Sequence, residues 1–187
     1  WSFKAFLINF KFNSIWFFFA VAQRFLANIL NINSNHTDLQ LQTGMAEPTK
    51  ITPGSEIDNF IFEKEIGSGA FASVWKAHHK VSKTSVAIKT IEKRSLNNDV
   101  ARTRLVREIA LFKSMDHPFI SEFFCSFEDE SYYYLVMEFV ENGNLLDYVN
   151  NNGRLSEDQA RRYFGQLVSV LEYLHHVKKV AHRDLKC

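Results

Sequence analysis

The sequence predicts an α+β domain, with a strand-rich region and one helix followed by a helical region. β-Branched runs such as "SVAIKTI" alternate with turn residues between positions 60 and 139, as is typical of strands. Apolar residues recur at helical spacing after position 98 and again after position 156. With 46% hydrophobic and 23% charged residues among 187, the chain can bury a sizeable core.

The net charge and the cysteine content exclude few functions. The net charge of +1 gives no reason to expect a nucleic-acid or anionic-membrane partner, so we predict neither. Cys125 and Cys187 lack the spacing of a metal site or a disulfide pattern, and such sparse usage fits a reducing compartment. We therefore expect a cytoplasmic protein and interpret Cys125 as a small core residue.

Residues 1–44 differ in composition from the rest, with Phe, Asn, Ile and Leu dominating. The uncharged run between Lys11 and Arg24 has only 12 residues, whereas a membrane-spanning helix needs roughly 20. A secretory signal is a second interpretation, since an Ala-Val-Ala triplet resembles a cleavage site. We prefer a non-native extension, noncoding sequence translated ahead of a start at Met45, because Phe, Asn, Ile and Lys are encoded by A/T-rich codons.

Residues 45–57 form a polar stretch that contains two prolines and a glycine. It is too poor in apolar residues to pack, so the sequence predicts a flexible leader and a folded domain that begins near Asp58.

The segment "FIFEKEIGSGAFASVWKAHH" contains Gly67 and Gly69, with Ala72 where a third glycine could stand. In dinucleotide-binding proteins such a motif opens a helix. Here Val74 and Lys76 alternate as in a strand, so the loop joins two strands. Its glycines would allow close approach of a ligand, with free N–H groups pointing at phosphate oxygens. The alternative is an ordinary hairpin turn.

The strand "SVAIKTI" places Lys89 among apolar neighbours. A buried ammonium costs several kcal/mol unless an anion compensates it. The following helix supplies one, because Glu108 is its only acid between Asp99 and Asp116. We expect Asn98 or Asp99 to cap this helix. Its apolar stripe should pack on the sheet and consists of Leu105, Ile109 and Phe112.

These residues resemble the motifs of the eukaryotic protein kinases, which are a glycine loop, V-A-I-K, a helix Glu and H-R-D in that order. The matching positions are 67–74, 86–89, Glu108 and 182–184. The resemblance covers residues 60–186. It implies a small lobe of a five-stranded antiparallel sheet plus one helix over 58–137, a hinge over 138–144, and the start of a helical lobe over 145–187, C-terminally truncated.

The resemblance also implies an ATP site. The glycine loop would cover ATP, Lys89 would hold the α- and β-phosphates, and Glu108 would keep Lys89 aimed. Val74 and Ala87 would sandwich the base, although plain core packing explains them equally. In the resemblance, Met137 would control access to the inner pocket, and backbone groups of Glu138 and Val140 would bond adenine. The predicted nucleotide-contacting residues are Ile66, Gly67, Ser68, Gly69, Ala70, Phe71, Ala72, Ser73, Val74, Ala87, Lys89, Met137, Glu138 and Val140.

The segment "RLSEDQARRYFGQLVSVLEYLHH" predicts a helix with a capping box of Ser156 and Gln159. Its predicted apolar face comprises Ala160, Tyr163, Phe164, Leu167, Leu171 and Leu174. The helix leads to the loop in which, by resemblance, Asp184 orients the attacking hydroxyl. Three nearby histidines lack a carboxylate or thiol to complete a metal site, so we predict none.

The resemblance also indicates which class of protein kinase the sequence is most similar to. Lys186 is typical of serine/threonine kinases, where it contacts the transferred phosphate. Arg183 is similar to that of kinases activated by phosphorylation, which implies an upstream activating kinase. The style of residues 138–149 resembles the calcium/calmodulin-dependent and AMP-activated kinase group, but Asn144 stands where that group has a Glu that meets ribose and a basic substrate side chain.

The prediction is a fragment of an ATP-dependent serine/threonine kinase that phosphorylates proteins. Its Mg²⁺ ligands are expected beyond Cys187, so residues 1–187 alone should bind nucleotide weakly without turnover. A pseudokinase, or a nucleotide-binding scaffold without phosphotransfer, is the alternative.

Overall fold

A computed structural model describes residues 50–69, 72–96, 98–182 and 185. These residues form one six-stranded antiparallel sheet and three α-helices. The strands are β1 (Glu56–Ile57), β2 (Phe60–Ser68), β3 (Ala72–His79), β4 (Ser85–Glu92), β5 (Phe123–Glu128) and β6 (Tyr132–Glu138), in the order β1-β2-β3-β4-β6-β5. The helices are α1 (Asp99–Lys113), α2 (Leu145–Asn152) and α3 (Glu157–Glu172), with a 3-10 turn at Lys93–Ser95 and a π-helical turn at Tyr173–Val177. The predicted α+β arrangement, a strand-rich region with one helix followed by a helical region, is confirmed.

The sheet separates two apolar clusters, and strand alternation decides which residues face each one. The inner face packs against α1, and its core is Val74, Ala87, Ile91, Leu96, Ala101, Leu105, Phe112, Leu135 and Met137. The outer face carries an aromatic-rich cluster that includes Phe62, Trp75, Ile88 and Tyr134. Apolar residues of β4 contribute to both clusters, which explains its nearly uninterrupted β-branched sequence.

Helix α1 forms where the sequence predicts it. The Asn98 side chain accepts a hydrogen bond from the Ala101 amide at 2.8 Å and caps the helix. Leu105 and Phe112 of the predicted stripe are buried, and Ile109 packs beside them. The Phe112 ring meets the edge of Phe123 at a centroid distance of 5.4 Å. The cap and these contacts fix α1 against the inner face of the sheet.

Helix α3 has the predicted capping box, with both hydrogen bonds between Ser156 and Gln159 present. Its predicted apolar face is only partly correct, since Leu174 is buried but Ala160 is exposed and the Phe164 side chain is 65% exposed. Gln166 and Val170 are buried instead. The buried face is therefore rotated from the one predicted.

The segment before β5 holds α3 and the turn after it against the small lobe. The Asp116 amide donates to the Tyr173 hydroxyl at 2.9 Å, and His117 Nε2 lies 3.2 Å from Ser169 Oγ. The Lys178 ammonium donates to the Ser114 carbonyl. The side of the helical region that carries Ser169 and Tyr173 therefore contacts the small lobe. The helical periodicity of the sequence alone did not indicate this.

The N-terminal edge of the sheet also differs from the prediction. β1 is a sixth strand, and the Ile51 side chain is buried in the outer-face cluster. A folded domain that begins near Asp58 is therefore too short, because Ile51 and Ile57 supply the apolar contacts that the polar composition concealed. The predictions for residues 1–44 lie outside the described residues.

Cys125 is exposed, so its interpretation as a core residue is wrong. A register irregularity between Phe123 and Cys125 interrupts the alternation of the edge strand β5, so position 125 does not follow the face of position 123. No helix in the described part of the chain is both long enough and apolar enough to cross a membrane.

Candidate functional site

The candidate site is centred on Lys89, which lies in β4 between Ala87 and Ile91 of the inner face. Its side chain is only 4% exposed. In the sheet register, Lys89 stands beside Val74 of β3 and Leu135 of β6, and Val74 in turn stands beside Gly67 of β2. One row across four strands thus joins the start of the glycine loop to a buried lysine.

Glu108 approaches Lys89 from helix α1 and interacts with it electrostatically. Burial lowers the pKa of Lys89 to about 7, an effect that the charge of Glu108 partly opposes. Burial also raises the pKa of Glu108 to about 7, against the opposing charges of Lys89 and Arg104. Each charge thus opposes the effect of burial on the pKa of the other group, as expected for a strand lysine that faces a helix carboxylate. An anionic ligand beside Lys89 would favour its charged form.

The predicted glycine loop joins two antiparallel strands, as its alternation indicated. Ser68 stands beside Ser73, and the Gly69 amide donates to the Ala72 carbonyl at 2.8 Å. The Ser73 hydroxyl donates to the Glu65 carboxylate at 2.8 Å. Ala70 and Phe71, at the tip, lie outside the described residues.

The apolar residues predicted to contact a base are brought together by the inner-face cluster. Val74, Ala87 and Met137 are buried in it, and Ile66 and Ala72 pack against it from the glycine-loop side. The cluster also contains helix residues, so its members serve as core as well as a candidate pocket wall.

The predicted hinge begins where β6 ends. The Glu138 amide donates to the Glu122 carbonyl at 2.8 Å, so this amide is engaged in the sheet. Val140 is buried, two residues further along. Asn144 then caps α2, with its side chain accepting from the Asp147 amide at 2.5 Å.

Part of the predicted catalytic machinery falls outside the described residues. This applies to Asp184 and Lys186, and to Arg183 beside them. His182 is described and is 5% exposed. Among the described residues, no group of three or more His, Cys, Asp or Glu side chains is placed to hold a metal ion.

Two features of the site region were missed by sequence reasoning. The Ser121 hydroxyl is buried beside the start of the hinge, and it has no hydrogen-bond partner among the described residues. A lone serine before a strand carries no signal of burial. The capping role of Asn144 was detectable, because Asn followed by a helical run is a typical N-cap pattern.

The arrangement can bind an anion at a defined place. A buried lysine interacts electrostatically with a carboxylate, and it lies in register with a glycine hairpin whose backbone a ligand can approach. The adjoining cluster gathers the apolar residues predicted to contact a base, and they are buried next to the hinge. These features together favour a ligand that joins phosphates to an aromatic ring.

Comparison with known proteins agrees with this chemistry. The family model described as "Protein kinase domain" matches residues 60–187. Serine/threonine-protein kinase SIK1 of Rattus norvegicus is 42% identical over 124 residues, which are 66% of this chain and 16% of that protein. Serine/threonine-protein kinase SIK2 of Gallus gallus is 40% identical over 124 residues, with 66% and 15% of the two chains covered.

A solved structure shares the fold. The crystal structure of Rad53 1-466 in complex with AMP-PNP superposes with a TM-score of 0.60 at 34% sequence identity, covering 68% of this chain and 33% of that one. The present chain spans about one sixth of the length of the curated relatives that it matches. The family match covers well over half of the chain and includes the glycine loop, Lys89 and Glu108. The chain therefore belongs to the protein kinase family.

Proposed function

We propose that this chain is part of an ATP-dependent serine/threonine protein kinase, which transfers the γ-phosphate of ATP to protein Ser or Thr hydroxyls. The observation that carries the proposal is the position of Lys89. It is a buried lysine, it interacts with Glu108, and it stands in the same row of the sheet as the glycine loop. A lysine buried only for packing would be costly, whereas a lysine that meets phosphates has a reason to be there.

The nucleotide is the first requirement of this activity. Phosphoryl transfer depends mainly on positioning and on stabilising charge around the phosphates. Lys89 would meet the α- and β-phosphates, and Glu108 would hold its ammonium in place. Val74 and Ala87 would enclose the adenine, with backbone groups of the hinge bonding its edge. That the similar Rad53 structure holds AMP-PNP supports this assignment.

Protein kinases as a family use Mg²⁺ together with ATP. When bound, the ion supplies positive charge that neutralises the β- and γ-phosphates. The described residues include no cluster that fits it, so we assign it to none of them.

The serine/threonine class is supported by the names of the similar kinases and by Lys186. In the proposed reaction, Asp184 orients the acceptor hydroxyl and Lys186 contacts the transferred phosphate. Arg183, directly before Asp184, supports activation by an upstream kinase, since an arginine there can pair with an added phosphate. We also propose that the protein acts in the cytoplasm.

Transfer of labelled phosphate tests the proposal. The full-length protein that contains this chain is incubated with γ-labelled ATP, Mg²⁺ and a mixture of protein substrates, and the labelled amino acids are identified. We expect label on serine and threonine, and loss of at least 100-fold in rate in Lys89→Met, because a charge aimed at the phosphates is removed (roughly the 10²–10³ lost on removing one preorganised donor). Lys80→Met is the matched control, since Lys80 lies outside the site and pairs with Glu56 at 3.1 Å.

Three results would contradict the proposal or redirect it. Label on tyrosine alone would reject the serine/threonine class. Equal rates in Lys89→Met and wild type would reject the role of Lys89. Tight ATP binding without any transfer would favour the pseudokinase or scaffold alternative.

A further inference from the structure

Lys76 is a second lysine on the inner face of the sheet. Side chains alternate along a strand, so Lys76 shares the face of Val74, two residues before it in β3. In the register, Lys76 stands directly opposite Ala87 of β4, and Ala87 stands opposite Met137 of β6. Residues directly opposite each other lie on the same face of a sheet. Lys76 is therefore a cross-strand neighbour of a residue proposed to enclose the base, close to the end of β6 where the hinge begins.

A carboxylate of β2 fixes the Lys76 ammonium. The Glu63 carboxylate lies 2.8 Å from Lys76 Nζ and also 2.8 Å from His78 Nδ1. The hydrogen bond from Lys76 is the largest of the effects that act on the pKa of Glu63, and together they lower it. The carboxylate is therefore ionised at neutral pH, and it compensates the charge of the lysine.

The same ammonium lies over the ring of Phe139, with 5.4 Å between Nζ and the ring centroid. A cation within about 6 Å of a centroid is attracted to the face of the ring. Phe139 is a hinge residue, and it packs half-buried against the inner-face cluster. Three other rings that lie under a lysine are outside the hinge, namely Phe123, Tyr133 and Tyr173.

Phe139 stands between the two residues whose backbone groups are proposed to bond adenine. On one side, the Glu138 amide is held by the Glu122 carbonyl at 2.8 Å, and on the other side Val140 is buried. The position of the Phe139 ring thus influences both adjoining peptide groups. A ligand that needs one conformation of the protein binds in proportion to the population of that conformation. A contact that holds the ring can therefore favour base binding without touching the ligand.

We propose that Lys76 is a positioning residue for the base, because its contact with the Phe139 ring holds the hinge in the conformation that binds adenine. This rests on the proposed function, since it requires a base at the hinge. In this role Lys76 makes no contact with the nucleotide, and Glu63 fixes its ammonium. Lys76 thus differs from Lys89, whose proposed partners are the phosphates.

The test separates base binding from phosphate binding. Dissociation constants for ATP, adenosine and inorganic tripolyphosphate are measured by titration calorimetry on the full-length protein. We expect Lys76→Gln to bind ATP and adenosine about 2- to 5-fold more weakly than wild type, as for the loss of one partly exposed contact between a cation and a ring. Its affinity for tripolyphosphate should equal that of wild type. A general loss of folded structure would instead weaken all three.

Two further variants show whether the effect passes through the ring. Lys76→Arg should retain the affinities of wild type, because a guanidinium also pairs with a carboxylate and stacks on an aromatic face. In a Phe139→Leu background, Lys76→Gln should have no further effect, since the ring that the ammonium contacts is already absent. Lys80→Gln is the matched control, because Lys80 is exposed to a similar degree, 33% against 28% for Lys76, and pairs with Glu56. It should bind all three ligands like wild type.

Three results would overturn this inference and leave the proposed function standing. The first is equal adenosine affinity in wild type and Lys76→Gln. The second is a loss of tripolyphosphate affinity in Lys76→Gln, which would mean that the charge acts on the phosphates. The third is a full effect of Lys76→Gln in the Phe139→Leu background. Failure of wild type to bind ATP or adenosine would overturn both the inference and the proposed function.

Discussion

Lys89 and Glu108 interact across the boundary between the sheet and helix α1, and burial shifts the pKa of each to about 7. The pKa of Lys89 is lowered from 10.5, and the pKa of Glu108 is raised from 4.5. Neither group is firmly charged near neutral pH without a further partner. A triphosphate beside Lys89 would stabilise its ammonium form, so ligand binding and the protonation of this pair are linked.

The pair makes stability depend on pH in a characteristic way. For Glu108, the folded state binds more protons than the unfolded state between pH 4.5 and about 7, so its contribution to stability falls as pH rises through that window. For Lys89, the unfolded state binds more protons between about 7 and 10.5, so its contribution rises there. The combined contribution has its minimum near neutral pH.

Glu108→Gln should remove the decrease in stability that Glu108 causes between pH 4.5 and about 7. The free energy of unfolding of wild type, minus that of the variant, should fall between pH 5 and 7 by at most about 1.4 kcal/mol per pH unit, the value for one proton. Urea denaturation at four or five pH values measures it. Glu130→Gln, an exposed acid in the turn after β5, is the control and should follow wild type. Parallel profiles for wild type and Glu108→Gln would refute the assigned burial of this carboxylate.

Tyr173→Phe tests the contact between the small lobe and the helical region. The change removes the acceptor of the Asp116 amide, which lies 2.9 Å away, and it keeps the ring. We expect a loss of about 1 kcal/mol in the free energy of unfolding, with an unchanged denaturant slope. Tyr133→Phe, at a half-buried tyrosine of β6, should lose less than about 0.5 kcal/mol. Equal effects of the two substitutions would mean that the hydrogen bond contributes nothing.

Asn98→Ala should destabilise the protein by about 1 kcal/mol, because the Ala101 amide loses its side-chain acceptor. Since α1 carries Glu108, fraying of its first turn should also weaken ATP binding in calorimetric titration. Asn98→Asp replaces the amide oxygen by a carboxylate oxygen, which can also accept from the Ala101 amide, and should retain both stability and affinity. If Asn98→Ala loses stability but binds ATP as tightly as wild type, the position of Glu108 does not depend on this cap.

The sequence was sufficient where local chemistry decides the structure. The Asn98 cap, the Ser156 capping box and the strands that flank the glycine loop all depend on residues a few positions apart. The pairing of Lys89 with Glu108 spans 19 positions, yet it followed from one rule, that a buried cation needs an anion. The serine/threonine class came from the resemblance, since local patterns alone do not distinguish acceptor hydroxyls.

Features set by distant contacts were not predictable. The buried side of α3 depends on Asp116 and His117, which meet Tyr173 and Ser169 only in the folded chain. Cys125 follows an irregularity in β5 that leaves no mark in the residue pattern. Ile51 is buried although its neighbours are polar, because it meets aromatic residues on the outer face of the sheet.

Covalent labelling shows whether Lys89 lies against the phosphates of bound ATP. An acyl-phosphate derivative of ATP transfers its acyl group to a lysine that lies against the phosphates, and peptide mass spectrometry identifies the modified residue. We expect acylation of Lys89, suppressed by excess ATP, and no ATP-sensitive labelling of Lys76 or Lys80. Saturating labelling of other lysines with Lys89 unmodified, or labelling of Lys89 that excess ATP does not reduce, would contradict it.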